Sequence, residues 1–281
     1  MELQLQQTRE QQTASWNKFF PGWKKREEPF MEFLKPMGNE IIRLIHSKKN
    51  QIVLDVASGT GELGLTIASM LNNGKVVMID LAADMLGIAR EKAIQRGIEN
   101  YETFVCDVSK LPFADNTFDA ISCRFGFMFF PDMVLAAKEM VRVLKPGGKI
   151  ATSVWNVPEK NSWITATVDT IGTSIQVPAP EPDAPGMFRC AEDGLMADLF
   201  LHAGLKNIVV KEVTGKMNCE TPAVYWDVMT EVAAPVVALL SATDRITKGK
   251  MENKVNRILI RKYPGGKIRI ESSALVIAGE K

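Results

Sequence analysis

The sequence predicts an α/β protein built on a doubly wound, mostly parallel sheet, and three observations lead to this fold class. Short apolar segments alternate with amphipathic ones between residues 51 and 154, as expected for strands that helices cover on both faces. A glycine-containing turn joins the first strand to the first helix of this region. Carboxylates (Asp55, Asp80 and Asp107) stand at the ends of three strands, where such sheets bind ligands.

The elements follow in a regular order along the chain. Apolar runs predict strands over residues 51–56, 75–79, 103–106, 118–122 and 148–154. Apolar residues at helical spacing predict helices over 62–71, 82–96 and 133–144. After a proline-rich stretch, a helix over 191–203 is closed by Gly204, and strands over 207–213 and 268–278 complete the sheet. Upstream, residues 30–47 form a helix that Pro36 and Gly38 are expected to break or kink.

Composition and charge narrow the class of protein. The 281 residues are 46% apolar and 24% charged, which is ordinary for a globular protein, and the net charge is +1. That balance gives no reason to expect nucleic acid or an anionic membrane surface as a partner. The four cysteines are far apart and predict free thiols. The N-terminus lacks the pattern of a signal peptide, and the longest apolar stretch (232–240) is short and contains Pro235, so we expect a cytoplasmic protein.

The loop after the first strand is the most informative motif. The apolar strand at 52–54 ends in Asp55, and a turn with Gly59 and Gly61 leads into a helix at Glu62. The free N–H groups at a helix start suit a negatively charged group, whereas Asp55 would repel a diphosphate. The combination predicts a zwitterionic ligand with an amine and a carboxylate, such as the amino-acid end of S-adenosyl-L-methionine (SAM).

Two further carboxylates face the same edge of the predicted sheet. Asp80, 21 residues after Gly59, can accept hydrogen bonds from a ribose diol, and Asp107 can accept one from an adenine amine. The glycine spacing also fits a dinucleotide fingerprint, so a nicotinamide-dependent oxidoreductase is an alternative. Asp55 disfavours that alternative. So does the lack of a helical Tyr-x-x-x-Lys pair, because Tyr263 and Lys267 have this spacing but straddle a Pro-Gly-Gly turn.

With these motifs in place, residues 40–155 resemble the class I SAM-dependent methyltransferases. The segment 53–61 looks like the first motif of that family, Asp80 like its acidic second motif and Asp107 like its third. The Leu-Lys-Pro-Gly-Gly run at 144–148 looks like the turn that usually precedes strand five. The resemblance implies a Rossmann-like sheet of seven strands, the last of them antiparallel, with helical cap insertions.

The resemblance also implies a cofactor site. Backbone at Ala57, Gly59 and Gly61 would approach the methionine part of SAM, whose amine Asp55 would orient directly or through water. Asp80 would hold the ribose. The remaining residues surround the adenine and the methyl-bearing end: Leu81 and Met85 beside the ring, Asp107 and the Val108 N–H at its edge, and Arg124 beside the methionine moiety.

Within the family, the chain most resembles small-molecule enzymes similar to the ubiquinone and menaquinone C-methyltransferases. The segments 113–119 and 124–132 are of that style. The quinone enzymes usually have an Arg-Asn pair shortly after the Phe-Gly, and Met128 and Phe129 stand there in this chain. The sequence therefore departs from the quinone pattern at those two positions.

No residue qualifies as a catalytic base in the sequence, so the catalytic residues are left unassigned. Methyl transfer from a sulfonium needs alignment more than acid–base help, because the cofactor supplies the driving force. His46 and His202 are expected at the surface or as caps, and no cluster predicts a metal site. The Asn-Pro-Pro-Tyr type of motif, found in amino-group methyltransferases, is absent after strand four, where residues 122–125 read Ser-Cys-Arg-Phe.

The parts outside the common core are expected to set specificity. We divide the chain into an N-terminal helical lid segment (1–47), a SAM-binding core (48–155), an insertion (156–190), a core helix and strand (191–217), a helical cap insertion (218–263) and a final core strand (264–281). Trp16 and Trp23 in the lid segment, and the apolar stripe from Trp226 to Leu239 in the cap, either pack on the core or cover a hydrophobic substrate.

The predicted function is SAM-dependent methyl transfer to a small molecule that is apolar or aromatic, with a carbon or oxygen acceptor favoured. Two alternatives stay open: the nicotinamide-dependent oxidoreductase, and a SAM-binding protein of this fold that does not turn over. The oligomeric state is open between a monomer and a homodimer.

Overall fold

Seven strands form one sheet in the computed structural model, in the order β3-β2-β1-β4-β5-β7-β6. The structure describes residues 2–46, 48–174, 183–241 and 243–281. For residues 2–5 and 18–21 it describes the backbone only. The strands are β1 (Ile52–Val56), β2 (Lys75–Asp80), β3 (Tyr101–Val105), β4 (Phe118–Arg124), β5 (Leu144–Trp155), β6 (Lys206–Cys219) and β7 (Ile268–Glu280). β7 runs antiparallel to both β5 and β6, so the expected antiparallel last strand is confirmed.

Helices cover both faces of the sheet. They are α1 (Glu2–Ile45), α2 (Glu62–Met70), α3 (Ala83–Arg96), α4 (Met133–Val143), α5 (Ser162–Gly172), α6 (Leu195–His202), α7 (Pro222–Val232), α8 (Ala234–Ser241) and α9 (Arg245–Lys262). Neighbouring residues of one strand enter separate apolar clusters, as Val53 and Leu54 of β1 do. Because successive side chains of a strand point to opposite faces, both faces are buried, as the doubly wound prediction requires.

The first helix corrects the expected break at Pro36 and Gly38. α1 continues through both residues, and its one non-helical conformation is at Arg26 (φ −110°, ψ 15°). Pro29 follows one turn later and has no N–H to donate to the Lys25 carbonyl. The missing hydrogen bond explains why the helix is irregular at Arg26. Around Pro36 the helix buries an apolar stripe in the core (Phe30, Phe33, Leu34, Met37 and Ile41), and this packing outweighs the local cost of proline.

The first half of α1 lies against the cap helix α7 at very short range. A Cβ on Gly22 would stand 2.0 Å from the Glu231 carbonyl oxygen, so only glycine fits this crossing. Beside it, Arg26 donates from Nε to Glu231 at 2.7 Å and from Nη2 to Asp227 at 2.9 Å. The lid segment and the cap are therefore joined by close backbone packing and by ion pairs.

Most predicted boundaries differ from the observed ones by a few residues. The helix predicted over 30–47 begins at Glu2, the helix predicted over 191–203 begins at Leu195, and two strands are longer than predicted. β5 begins at Leu144 and includes the Pro-Gly-Gly run, where Gly147 is left-handed (φ 76°) and the pairing with β4 is irregular. β6 continues to Cys219, six residues beyond the predicted strand end, because it pairs with β7 along its whole length. The cap therefore starts at α7. Residues 175–182 of the predicted insertion lie outside the described residues.

No single helix of the described chain is long and apolar enough to cross a membrane. The pair α7 and α8 passes by length and composition only when taken together, and the two helices are bent by 82° at their junction.

Candidate functional site

The loop between β1 and α2 has an unusual backbone conformation. Ala57, Gly59 and Gly61 all have left-handed φ values, of 53°, 55° and 77°. The space around Gly59 is open, whereas a Cβ on Gly61 would stand 2.5 Å from the Ala89 Cβ of α3. Gly59 is thus a position for a ligand to approach, and Gly61 is a position of close helix packing.

Asp55 is buried at the end of β1 with one oxygen satisfied. Ser122 of β4 donates to its Oδ1 at 2.6 Å. Its Oδ2 has no hydrogen-bond partner within the described residues. Burial raises the pKa of Asp55 to about 6, and the Ser122 hydroxyl and the charge of Arg124 oppose that rise. The Oδ2 atom lies beside Gly64 of α2, whose backbone N–H also opposes the rise of the pKa, so Asp55 is held against the start of that helix.

Asp80 connects the end of β2 to the glycine loop. Its Oδ2 accepts from the Gly59 N–H and its Oδ1 from the Ala82 N–H, both at 2.8 Å. Burial raises the pKa of Asp80, while these backbone donors lower it. A carboxylate has about four lone-pair sites, so both oxygens keep capacity for a diol.

Asp107 pairs with the first helix. Arg9 of α1 lies with its Nε 2.6 Å from the Asp107 Oδ2. Ser109 donates its N–H to Oδ1 at 2.9 Å and its hydroxyl to Oδ2 at 2.6 Å, and it also accepts from the Arg9 Nη2 at 3.0 Å. Asp107, which is predicted to bind the edge of the adenine, therefore already forms an ion pair with an arginine of the lid segment.

A buried lysine, which the sequence analysis did not single out, binds the backbone of the loop between β1 and α2. Lys92 of α3 donates to the Thr60 carbonyl at 2.9 Å and forms an ion pair with Glu27 of α1. Glu62, at the start of α2, is a further acceptor at 3.5 Å. A lysine at a helical position carries no sequence signal for such a role, because lysines of amphipathic helices are usually exposed.

Arg124 stands at the end of β4, where the sequence placed it beside the methionine moiety. Its Nη2 donates to the Met31 sulfur of α1 at 3.1 Å. Burial lowers the pKa of Arg124, while nearby carboxylates, Asp55 first among them, raise it. Arg124 as a whole residue is half-buried, and the guanidinium N–H groups that do not contact Met31 are donors of the kind that a carboxylate binds.

One cavity of about 210 Å³ joins Asp55, Asp80, Asp107 and Arg124. Nine of the ten predicted cofactor-binding residues line it: Asp55, Ala57, Gly59, Asp80, Leu81, Met85, Asp107, Val108 and Arg124. The wall, as far as the chain is described, does not include Gly61. The structure therefore brings the predicted residues together at the carboxyl ends of β1 to β4, although their roles toward a ligand stay a prediction.

The rest of the cavity wall is aromatic and apolar. It includes Trp16, Trp23 and Phe30 of α1, Phe125 and Phe129 after β4, Trp155, Trp163, and the junction of α7 and α8 at 232–235. The ring centroids of Phe125 and Trp155 are 4.3 Å apart in a stacked pair, and Trp16 meets Phe129 edge-on at 5.2 Å. Phe125 is also left-handed (φ 61°).

Sequence reasoning anticipated this wall only in part. It singled out Trp16, Trp23 and Val232, but not Trp155 and Trp163, since a tryptophan at a strand end or in a helix usually signals core. Trp226 and Met229, of the predicted cap stripe, are buried in the core. Of the two interpretations of that stripe, packing on the core therefore holds for these two residues.

Groups that could act as a general base or thiolate are poorly placed for it. His46 is exposed, and the exposed His202 ring contacts the Asp198 carbonyl. Burial raises the pKa of the Cys106 thiol, which lines the cavity, to about 11 and that of Cys123 to about 12, so both are protonated at neutral pH. Among the described residues, no group of three or more potential ligands could hold a metal.

Comparisons with known proteins agree with this site. Residues 35–162 match the ubiE/COQ5 methyltransferase family. A Cellvibrio japonicus protein named ubiquinone/menaquinone biosynthesis C-methyltransferase UbiE is 42% identical over 120 residues, which are 42% of this chain and 48% of that protein. The chain spans about half the length of the curated relatives it matches.

Solved structures show the same fold over more of the chain. The YcgJ protein from Bacillus subtilis has a TM-score of 0.57 and 17% identity, covering 87% of this chain and 97% of that one. A Haemonchus contortus phosphoethanolamine N-methyltransferase 2, solved with SAM, has a TM-score of 0.53 and 18% identity over 87% of this chain and 52% of that one.

These findings confirm the resemblance to class I SAM-dependent methyltransferases of the ubiquinone and menaquinone type, and with it the Rossmann-like fold. The family match also supports the enzyme class and SAM as cofactor. Because the matched region is about half of each curated relative, the activity and substrate of the whole protein are proposals.

Proposed function

We propose that the protein transfers the methyl group of SAM to a small apolar or aromatic molecule, with a carbon or oxygen acceptor favoured. One observation supports this most strongly. The cavity that begins at the glycine loop continues without interruption into a wall of aromatic side chains from α1, β5 and α5. Ligand sites of this kind are mostly apolar with a few placed polar groups, and here the polar groups are gathered at the loop end.

The residues at the loop end fit SAM. The Asp55 carboxylate and the Arg124 side chain both line the cavity, and they suit the cofactor's amine and its carboxylate, respectively. Asp80 would hold the ribose, and Ala57 and Gly59 would approach the methionine part through their backbone. Leu81, Met85, Asp107 and Val108 would surround the adenine. Gly61 would act by letting α2 pack on α3.

When bound, SAM supplies an electrophilic methyl on a positively charged sulfur. The chain's part is to align the acceptor with it and to exclude water, which is worth roughly 7–11 kcal/mol for well-oriented reactants. The stacked Phe125 and Trp155 rings can hold a flat acceptor, and Trp16 and Trp23 close the cavity from the α1 side. With no placed histidine or thiolate, the acceptor must be nucleophilic on its own or have a low pKa.

The acceptor's identity is the finer part of the proposal. Curated relatives are named for ubiquinone and menaquinone biosynthesis, so quinone-related rings belong in a substrate panel. At the two positions where those enzymes usually have Arg-Asn, this chain has the buried Met128 and the half-buried Phe129. An acceptor bound here would meet apolar rather than polar groups, which favours aromatic rings with few polar substituents.

Calorimetric titration of SAM and, separately, NADH tests the cofactor, and the substitution Asp80→Asn locates it. We expect SAM alone to bind, with at least a tenfold loss in Asp80→Asn because charged hydrogen bonds to the diol are weakened. Asp84→Asn, on the exposed first turn of α3, is the matched control and should bind normally. Binding of NADH without SAM would overturn the proposal in favour of the oxidoreductase alternative.

Transfer of labelled methyl to a panel of phenols, quinols and aromatic amines then tests turnover. Labelled phenol or quinol products are expected, and amine products would move the acceptor to nitrogen. If SAM binds tightly but the whole panel stays unlabelled, the non-catalytic SAM-binding alternative gains over the enzyme.

A further inference from the structure

The cap helix α9 concentrates positive charge. Its 18 residues contain seven lysines and arginines and a single acidic residue, Glu252. The net charge of the whole chain is only +1, so the rest of the protein is net negative. The excess of basic over acidic residues is therefore concentrated in one helix, although the chain as a whole is nearly neutral.

The charges point away from the protein. Met251, Val255 and Leu259 are the buried residues of α9 and mark its inner side. At about 100° per residue, the opposite side carries Lys250, Arg257 and Arg261, and Lys254 lies on the flank near the end of α5; all four are exposed. Glu252 falls between the inner residues and the flank. We call the outward surface, formed by these four basic residues with Ile246 and Ile260, the α9 face.

The apolar residues of the α9 face are strongly exposed. Ile246 is 73% exposed and Ile260 57%, and Ile258 on the flank is 43% exposed. Isolated exposed isoleucines are common on protein surfaces. Three of them interleaved with arginines and lysines on one helix form a basic amphipathic surface, which is typical of helices that lie on a membrane.

The positive charges of α9 are not neutralised by the protein. Within the described part of the chain, no carboxylate lies within ion-pair distance of any lysine or arginine of α9. Lys254 donates instead to the Thr173 hydroxyl at 2.5 Å. In α1, by contrast, Lys24, Lys25 and Arg26 all pair with carboxylates.

The position of α9 connects this surface to the cavity. α9 packs against α7 and α5, and the junction of α7 with α8 forms part of the cavity wall.

We infer that the α9 face docks on an anionic lipid surface, with its lysines and arginines against the headgroups and its isoleucines in the interface. Each basic residue near such a surface contributes about 1 kcal/mol, so a face of four supports reversible attachment.

The isoleucines favour lipid over nucleic acid as the partner. Nucleic acids bind through phosphate contacts and aromatic stacking, and the α9 face has no aromatic residue to offer. Exposed aliphatic side chains gain free energy only where an apolar phase takes them up. Whole-chain net charge predicted no affinity for an anionic membrane, but the separation of charge along the chain, not its sum, decides a surface contact.

Sedimentation with vesicles tests the inference on the full chain. Vesicles of phosphatidylcholine alone would be compared with vesicles containing one part in three phosphatidylglycerol, at low and physiological salt. We expect binding to the anionic vesicles, weakened by salt, and little binding to the neutral ones. The triple substitution Lys250→Gln, Arg257→Gln and Arg261→Gln should reduce the partition coefficient about a hundredfold, given the contribution of each charge.

Two further variants separate charge from apolar contact. Lys48→Gln, Lys49→Gln and Lys138→Gln remove the same charge from exposed sites on other surfaces and should leave vesicle binding nearly unchanged. Ile246→Ser with Ile260→Ser keeps the charge and should weaken binding about tenfold or more, since each isoleucine loses its burial. SAM titration of each variant confirms that the fold is intact, and methyl transfer is not needed for any readout.

Three outcomes would overturn the inference: equal binding to neutral and anionic vesicles, equal losses in the α9 and control triples, or binding to duplex DNA with none to vesicles. The last would assign the α9 face to nucleic acid instead. None of these outcomes bears on whether SAM binds the glycine loop, so the proposed function stands or fails separately.

Discussion

Arg9 near the beginning of the chain forms an ion pair with Asp107 after β3, with the Nε and Oδ2 atoms 2.6 Å apart. Asp107 lines the cavity, so the ion pair fastens the beginning of α1 to a residue that is predicted to bind adenine. Both side chains are partly exposed, at 27% and 20%. An ion pair of that exposure contributes modestly to stability, so its effect should appear in ligand exchange rather than in folding.

Arg9→Gln is expected to speed both loading and release of SAM, because it removes the ion pair that holds the first half of α1 to Asp107 of the cavity wall. A pair worth about 0.2–1 kcal/mol corresponds to rate changes of up to about fivefold. Stopped-flow measurement of SAM release checks this. Lys24→Gln, which breaks the exposed pair of α1 with Glu91 of α3, is the control and should leave the rates unchanged. Equal rates in Arg9→Gln and the natural protein would show that α1 opens without breaking this pair.

Gly22→Ala should destabilise the protein by about 1–3 kcal/mol, because the added Cβ meets the Glu231 carbonyl at 2.0 Å and forces α1 and α7 apart. Denaturant unfolding measures the change. Gly249→Ala in α9 is the control, since nothing lies within 4 Å of its Cβ and alanine favours a helix by about 1 kcal/mol. A stability for Gly22→Ala equal to that of the natural protein would mean that the two helices are not in contact in solution.

The raised pKa of Asp55 predicts a pH dependence of SAM binding. The pKa of about 6 in the free protein means that Asp55 loses its charge as the pH falls through 6. A cationic amine prefers the ionised carboxylate, so SAM affinity should be constant above pH 7 and fall by up to tenfold per pH unit below 6. Calorimetry between pH 5 and 8 checks this, with Asp55→Asn giving a weak and flatter profile. Unchanged affinity at pH 5 would place the amine elsewhere.

The same shift acts on the stability of the free protein with a defined sign. The folded pKa of Asp55 lies above its ordinary value of 3.8, so the neutral form is favoured by folding. That stabilisation is fully present below about pH 4 and is lost as the pH rises through about 6, by about 3 kcal/mol in all. Asp55→Asn should gain stability relative to the natural protein as the pH rises from 4 to 7. A constant difference across this range would contradict the burial argument.

Lys92→Met should weaken SAM binding without touching the cavity. The substitution removes the donor to the Thr60 carbonyl and leaves Glu27 and Glu62 without their common cation. A loss of about 2 kcal/mol in stability is expected from breaking a largely buried pair. Lys75→Met, which breaks the exposed pair with Glu102, should cost under about 1 kcal/mol and leave SAM affinity unchanged. If Lys92→Met binds SAM normally, the loop does not need this anchor.

The sheet and the cofactor end of the cavity were predictable because local patterns determine them. Apolar strands ending in Asp55, Asp80 and Asp107 can meet only at one edge of a parallel sheet. The aromatic wall was not predictable, because Trp155 and Trp163 reach it through the packing of β5 and α5 against α1, which lies far upstream in the sequence. Pro36 shows the same limit, since its local preference was overridden by core packing of α1.

The kink at Arg26 divides α1 into two parts that contact different regions of the protein. The part after it buries Phe30, Phe33 and Met37 in the core, whereas the part before it rests on the cavity rim and on α7. Limited proteolysis near the kink would therefore yield a chain that keeps its sheet and core while the cavity loses the wall formed by Trp16 and Trp23. Crystals of such a trimmed protein would admit ligands by soaking from the side of the cavity that Trp16 and Trp23 line in the full chain.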